Sequence, residues 1–244
     1  METIAGEWIM KGCRRTDSGC LHSPEDLLEL IQEIGFLPLF SNSITGFSVE
    51  EHTPAGDWWT DSAADPWAWR QVLAPNDFVA YGKFFDKKAG FVSRKWFPHF
   101  ANYRRDGYDY EGLYEDGKMT SRCKRIMDVL EPGEDAAGLR LLSCDLKRRA
   151  GLEKGFEGAL TDLQMKTFVI ATEFRQRRNR RGEPYGWHVT EIATPETKWG
   201  YDEVNSIGVK PEESWELIRE QIRKHYPKAG DRAIQNVAGI RKPG

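Results

Sequence analysis

Five arginines fall within seven positions of "EFRQRRNRRGEPYGWHV" (residues 173–189): Arg175, Arg177, Arg178, Arg180 and Arg181. The chemistry open to such a cluster is anion binding. Guanidinium groups are planar, permanently charged and able to grip a phosphate through two parallel hydrogen bonds. Five of them at one spot repel one another, and lysine would solubilise a surface equally well. The excess is local, because the whole chain carries a formal net charge of −3. Residues 138–181 hold eleven basic and five acidic residues, among them Lys147, Arg148, Arg149 and Lys166. That asymmetry is a footprint of nucleic-acid contact. The plainer alternative is a solvated surface loop.

A second group of residues could do chemistry of another kind. "GDWWTDSAADPWAWR" places Trp58, Trp59, Trp67 and Trp69 among Asp57, Asp61 and Asp65. Aromatic faces beside a carboxylate would suit a pocket that stacks a nucleobase. The alternative is that the tryptophans pack beneath an irregular segment and the aspartates cap it, since aromatic clusters are more often core than pocket. The candidate pocket residues are Asp57, Trp58, Trp59, Asp65, Trp67 and Trp69. A third stretch, "GKFFDKKAGFVSRKWFPHFANYRRDG", interleaves Lys83, Lys87, Lys88, Arg94, Lys95, Arg104 and Arg105 with Phe84, Phe85, Phe91, Trp96, Phe97 and Tyr103. It fits a base-stacking, phosphate-tracking surface or an amphipathic core helix equally well. Histidines 22, 52, 99, 188 and 225 are scattered, and there is no G-x-S-x-G, P-loop, H-E-x-x-H or G-x-G-x-x-G signature.

The elements that must position these groups follow from periodicity and caps. In "SPEDLLELIQEIG", Ser23 and Asp26 form a capping-box pattern, Pro24 suits the first helical position, and Leu27, Leu28, Ile31 and Ile34 share a face. Asp65 and Pro66 should open a second helix in the same way. Ser93 reads as the cap of a helix bent at Pro98. "TSRCKRIMDVLE", "LLSCDLKRRAGL" (capped by Ser143) and "GFEGALTDLQ" read as three helices. "MKTFVIATEF" and "YGWHVTEIATPE" read as two strands flanking the arginines. The order helix, helix, helix, strand, basic loop, strand over residues 120–192 is that of a winged helix-turn-helix, with the arginines at the tip of the wing. Glu157 and Asp162 on the third helix weaken the case for reading bases with it and shift the weight to the wing.

The expected fold class is therefore α+β, mainly helical, built of winged-helix units with small hairpin wings. The expected divisions are an arm over 1–23, a helical, winged-helix-like unit over 24–118, a winged helix with the basic wing over 119–192, and a helix and tail over 193–244. Cys13, Cys20, Cys123 and Cys144 form no C-x-x-C pair and lack a histidine at metal spacing, so four reduced thiols and no metal are expected. No run of about 18 apolar residues is present, and the N-terminal stretch lacks the apolar core of a secretory signal; the expectation is a cytoplasmic protein.

The blocks "LIQEIGFLPLFSNSITGF", "GDWWTDSAADPWAWRQVL", "VAYGKFFDKKAGFVSRKWFPHFANYRRDG", "LLSCDLKRRAGL" and "FEGALTDLQMKTFVI" resemble bacterial AlkZ-related proteins, over residues 24–192. These are cousins of the AlkZ-type DNA glycosylases built from tandem winged-helix domains. The resemblance implies a double-stranded DNA partner, a cleft between winged helices and base-excision chemistry with no metal or other cofactor. It also exposes a departure. The Gln-x-Gln or Gln-x-Asp triplet of those glycosylases is missing, and "SITGFSVEE" occupies the region where it would fall. No catalytic residue is carried over; Glu50, Glu51, Asp57 and Asp65 are the nearest carboxylates. Three readings follow: a protein that acts on or senses damaged bases, a non-enzymatic DNA-binding regulator, or a module for protein contacts alone.

Overall fold

A computed structural model describes residues 2–4, 7–133, 137–177, 179, 181–186 and 188–240. The first two strands, β1 (Glu2–Ile4) and β2 (Glu7–Ile9), pair with each other. Helix α1 (Pro24–Ile34) starts where the sequence says it should: the Ser23 hydroxyl accepts the Asp26 N–H and the Asp26 carboxylate accepts the Ser23 N–H. It ends at Gly35, whose φ of 96° is open to glycine at little cost. A Cβ on Gly35 would also run into the Trp96 indole. The chain then enters β3 (Phe36–Pro38), a loop region with two short 3₁₀ turns, and α2 (Pro66–Leu73), capped by Asp65 as expected.

Next comes a hairpin, β4 (Val79–Phe85) and β5 (Lys88–Ser93). Asp86 and Lys87 form its turn with φ of 48° and 62°, the left-handed pair that matches strand twist. The hairpin corrects the reading of this stretch. Phe84, Phe85 and Phe91 are fully or nearly fully buried, so the aromatics here are core and not a stacking surface. Ser93 ends a strand instead of capping a helix. Helix α3 (Phe97–Arg105) carries Pro98 in its first turn, where a missing N–H costs nothing, and not as an interior bend. Short α4 (Tyr110–Glu115) follows.

The second half contains α5 (Ser121–Leu130), β6 (Leu141–Leu142), α6 (Ser143–Arg149), α7 (Phe156–Met165), β7 (Ile170–Arg175) and β8 (Val189–Ala193). Ser143 is the first residue of α6 and makes no cap; Leu142 holds the cap position. Helices α8 (Pro195–Trp199), α9 (Tyr201–Asn205), α10 (Pro211–His225) and α11 (Asp231–Val237) complete the chain, and α10 packs on α3.

Six strands form one antiparallel sheet in the order β3-β5-β4-β7-β8-β6. The order is a palindrome of roles. In each half the first strand pairs with the last, and the middle strands β4 and β7 meet at Tyr81 opposite Ala171. The architecture is α+β, and its buried residues form a continuous core through both halves.

The cysteines are not all reduced, as the sequence suggests they would be. Cys13 and Cys20 form a disulfide with Cα atoms 6.2 Å apart, and only Cys123 and Cys144 are free. Seven positions of separation carry no pairing signal. Cys123 is buried and Cys144 is exposed. The disulfide closes a segment that is not loose. The Cys13 N–H donates to Thr53 O, the Leu21 N–H to His52 O, and Arg15 grips the Asp57 carboxylate with two bonds of 2.6 and 2.7 Å. Among the described residues, no helix is long and apolar enough to cross a membrane.

Candidate nucleic-acid interface

Of the arginine cluster, Arg175 ends β7, and Arg177 and Arg181 lie in the connection to β8, residues 176–188. The loop is internally bonded. The Gln176 amide donates to Tyr185 O and Gly186 O. The Tyr185 N–H donates to Arg177 O, and Asn179 Oδ1 accepts the Arg181 and Glu183 N–H groups. Arg177 and Arg181 are exposed, and neither has a carboxylate partner among the described residues. Arg178 and Arg180 lie outside the described residues.

The other predicted basic groups divide by use. Arg175 donates to Glu173 at 2.8 Å and to the buried Glu191 at 2.6 Å, so it braces the base of the hairpin. These carboxylates raise its pKa further. The Lys166 ammonium donates to Lys118 O at 2.6 Å, which commits it to a chain carbonyl. Arg148 pairs with Asp145 one turn earlier on α6 at 2.9 Å; Lys147 is half-buried and Arg149 is exposed.

The tryptophan-aspartate group resolves mostly into structure. Asp65 is fully buried, and its carboxylate accepts the N–H groups of Trp59, Asp61 and Trp67 at 2.8–3.1 Å. Those bonds hold Trp59 and Asp61 at positive φ, 60° and 53°, which bulky residues rarely adopt. A carboxylate so engaged is a knot in the chain and not a free base. The Trp58 and Trp69 indoles are buried and donate to Thr53 Oγ1 and Ala63 O. Asp57 belongs to Arg15, and Trp59 stands 44% exposed against Trp58.

Trp67 is the exception, and it leads to a site that sequence reasoning missed. The Arg70 guanidinium lies 3.3 Å from the centre of its ring and 4.8 Å from that of Phe174, the residue just before Arg175. Cation–π contact of this kind is strongest when the cation is desolvated. Burial pushes the Arg70 pKa down and the pKa of the neighbouring buried Tyr81 up, each partly offset by the other. Around this stack lies a cavity of about 500 Å³, bordered by Phe40, Trp67, Tyr81, Phe174, Gln164 and the lysines 83, 87 and 88. It straddles the seam of the sheet, drawing Tyr81 and Lys83 from β4 and Ala171 and Phe174 from β7. The described lining contains four cationic side chains and no carboxylate. Gln164 Oε1 accepts the Lys83 N–H at 2.7 Å, while Lys83, Lys87 and Lys88 are exposed and free of carboxylate partners among the described residues.

A second cavity, of about 410 Å³, lies among α3, α5 and α9. Within it Arg105 donates to Glu196 and Asn205, and the Thr194 hydroxyl donates to Glu131. No cluster of three His, Cys, Asp or Glu suited to a metal ion occurs among the described residues.

Comparison with known proteins fits the resemblance read from the sequence blocks. A family model described as "AlkZ related" matches residues 21–239. The search of curated proteins found no match. Among solved structures the chain is similar to Streptomyces sahachiroi DNA glycosylase AlkZ, at 11% identity and a TM-score of 0.46, covering 85% of this chain and 52% of that one. The chain thus spans about half the length of that protein.

Proposed function

The chain belongs to the AlkZ-related family, and from that premise we propose that it binds double-stranded DNA through the β7–β8 hairpin. The observation that carries the reading is the self-bonded loop that holds Arg177 and Arg181 exposed and uncompensated. In this reading residues 119–192 are a winged helix: α5, β6, α6, α7, β7 and β8 follow in its order, and its first and last strands pair. Residues 24–118 repeat the strand arrangement with β3, β4 and β5. Residues 1–23 form an arm and 193–244 a helical tail. Lys147 and Arg149 extend the basic surface beyond the wing.

The proposed activity is binding without base excision. A glycosylase site here would place a carboxylate in the aromatic cavity, and the described lining offers cations instead. Of the four acids nearest the missing triplet, Asp57 is committed to Arg15, Asp65 to three backbone N–H groups, Glu50 to the Lys11 and Ser41 N–H groups, and Glu51 to the Gly46 N–H and the Ser48 hydroxyl. The test is fluorescence anisotropy on a labelled duplex across a salt series. Arg177→Ala with Arg181→Ala should weaken binding and make the salt slope shallower by about two, one per lost phosphate contact. Unchanged affinity in the double variant would leave only a protein-contact role. Release of free base from alkylated DNA would overturn the non-excising reading.

A further inference from the structure

The cavity at the seam has chemistry of its own, separate from the exposed wing arginines. Arg70 is half-buried, stacked between Trp67 and Phe174, and makes no carboxylate salt bridge among the described residues. Its Nε donates to Trp67 O at 2.7 Å, which fixes the guanidinium plane and leaves the terminal nitrogens for Tyr81, which lines the same cavity. The Asp65 carboxylate attracts Arg70 without pairing with it, so the desolvation of the guanidinium is only partly offset, and an anion bound at the cavity would complete it. Lys83, Lys87 and Lys88 add charge at the rim, and Phe40, Trp67 and Phe174 supply apolar wall. A volume of about 500 Å³ falls in the range of small-molecule sites and exceeds the need of a bare inorganic anion.

We propose that this cavity receives one nucleotide unit by its phosphate, with Arg70 and the three lysines around the phosphate and the ring against the aromatic wall. This rests on the DNA-binding reading for one of two sources of the same chemistry: an unpaired nucleotide within a DNA strand, or a free mononucleotide. Arg70 anchors the phosphate because its plane is already set, so little rotamer freedom is lost on binding. The lysines steer and neutralise, and stacking adds affinity that tolerates any base.

The experiment measures three probes on the full chain: deoxyadenosine monophosphate, deoxyadenosine, and a labelled duplex with or without a single-nucleotide bulge. The monophosphate should bind measurably tighter than the nucleoside. The bulged duplex should bind about tenfold tighter than the perfect one, the size of one stacked base. Arg70→Gln should abolish both preferences. Lys88→Ala, at an exposed position where folding is not at stake, should reduce both. The Arg177→Ala, Arg181→Ala variant should weaken both duplexes in proportion and keep their ratio, which separates failure of the cavity from failure of the wing. Monophosphate binding lost in Arg70→Gln, with no bulge preference, would support the pocket and assign it to free nucleotides. Equal binding of nucleoside and monophosphate, or a bulge preference indifferent to both Arg70→Gln and Lys88→Ala, would overturn the proposal.

Discussion

The two halves of the sheet share one pairing plan and differ in their hairpins. In the first half β4 and β5 are joined by the two left-handed residues Asp86 and Lys87; in the second, β7 and β8 are joined by residues 176–188 with their arginines. The tight turn serves packing, since Gly82 and Gly90 sit opposite each other beneath Phe84 and Phe85, and a Cβ on Gly90 would strike the Phe85 ring. The long loop packs on little and exposes charge. One scaffold carries a packed turn in one half and an exposed, charged loop in the other, the kind of segment in which function usually arises. The halves share a core and the β4–β7 strand pair, and two cations bridge distant parts of the chain, Arg104 buried and Lys198 half-buried. Arg104 donates to Phe84 O, Met165 O and Ala238 O, and Lys198 donates to Ala74 O, Asn76 O and Val79 O.

Breaking the junction should have the largest effect. Arg104→Met strands three carbonyls in the core and should cost about 3–5 kcal/mol in urea denaturation, the loss typical of removing one buried charged partner. Lys198→Met removes the corresponding clasp at a half-buried position and should cost about 2–3 kcal/mol by the same measurement. An unchanged midpoint in either variant would show that the halves hold together without it. Reduction of Cys13–Cys20 acts on the first half alone. Its short loop predicts a loss of about 2 kcal/mol, read as a lower melting temperature in dithiothreitol that Cys13→Ser reproduces. The wing sharpens the contrast from the other side. Arg177→Ala with Arg181→Ala should change stability by no more than about 0.5 kcal/mol, as at other exposed sites, while altering the salt dependence of DNA binding. A large stability loss there would mean that the second hairpin is structural like the first.

Local signals carried much of the fold. Helices α1 and α2 were legible because Ser23 and Asp65 are short acceptors followed by proline, with Asp26 completing the capping box of the first, a chemistry contained within a few residues. Strands β7 and β8 were legible from their β-branched residues. The β4–β5 hairpin was not, because β4 is buried on both faces apart from Lys83 and so shows no alternation of polar and apolar residues. The two-residue β6 and three-residue β3 are too short to give any period. Of the expected pocket, only Trp67 remains at a cavity. Asp57 and Asp65 found partners that the sequence does not reveal: an arginine 42 residues away for one, and three backbone N–H groups of its own turn for the other.

The amino-acid sequence by itself determined the caps of α1 and α2, the helix faces, the clustering of five arginines beside a strand and the blocks that carry the family likeness, because each of these is written in neighbouring residues. Only the tertiary structure decided which of those charges are free. Arg175, Lys166 and Arg104 look alike in sequence to Arg177, yet the fold gives them Glu191, Lys118 O and Phe84 O as partners. It also brought Trp67, Arg70, Tyr81 and Phe174 to one cavity by pairing β4 with β7. Charge type is local, but whether a charge is compensated depends on groups tens to a hundred residues away, and that is settled when the sheet closes.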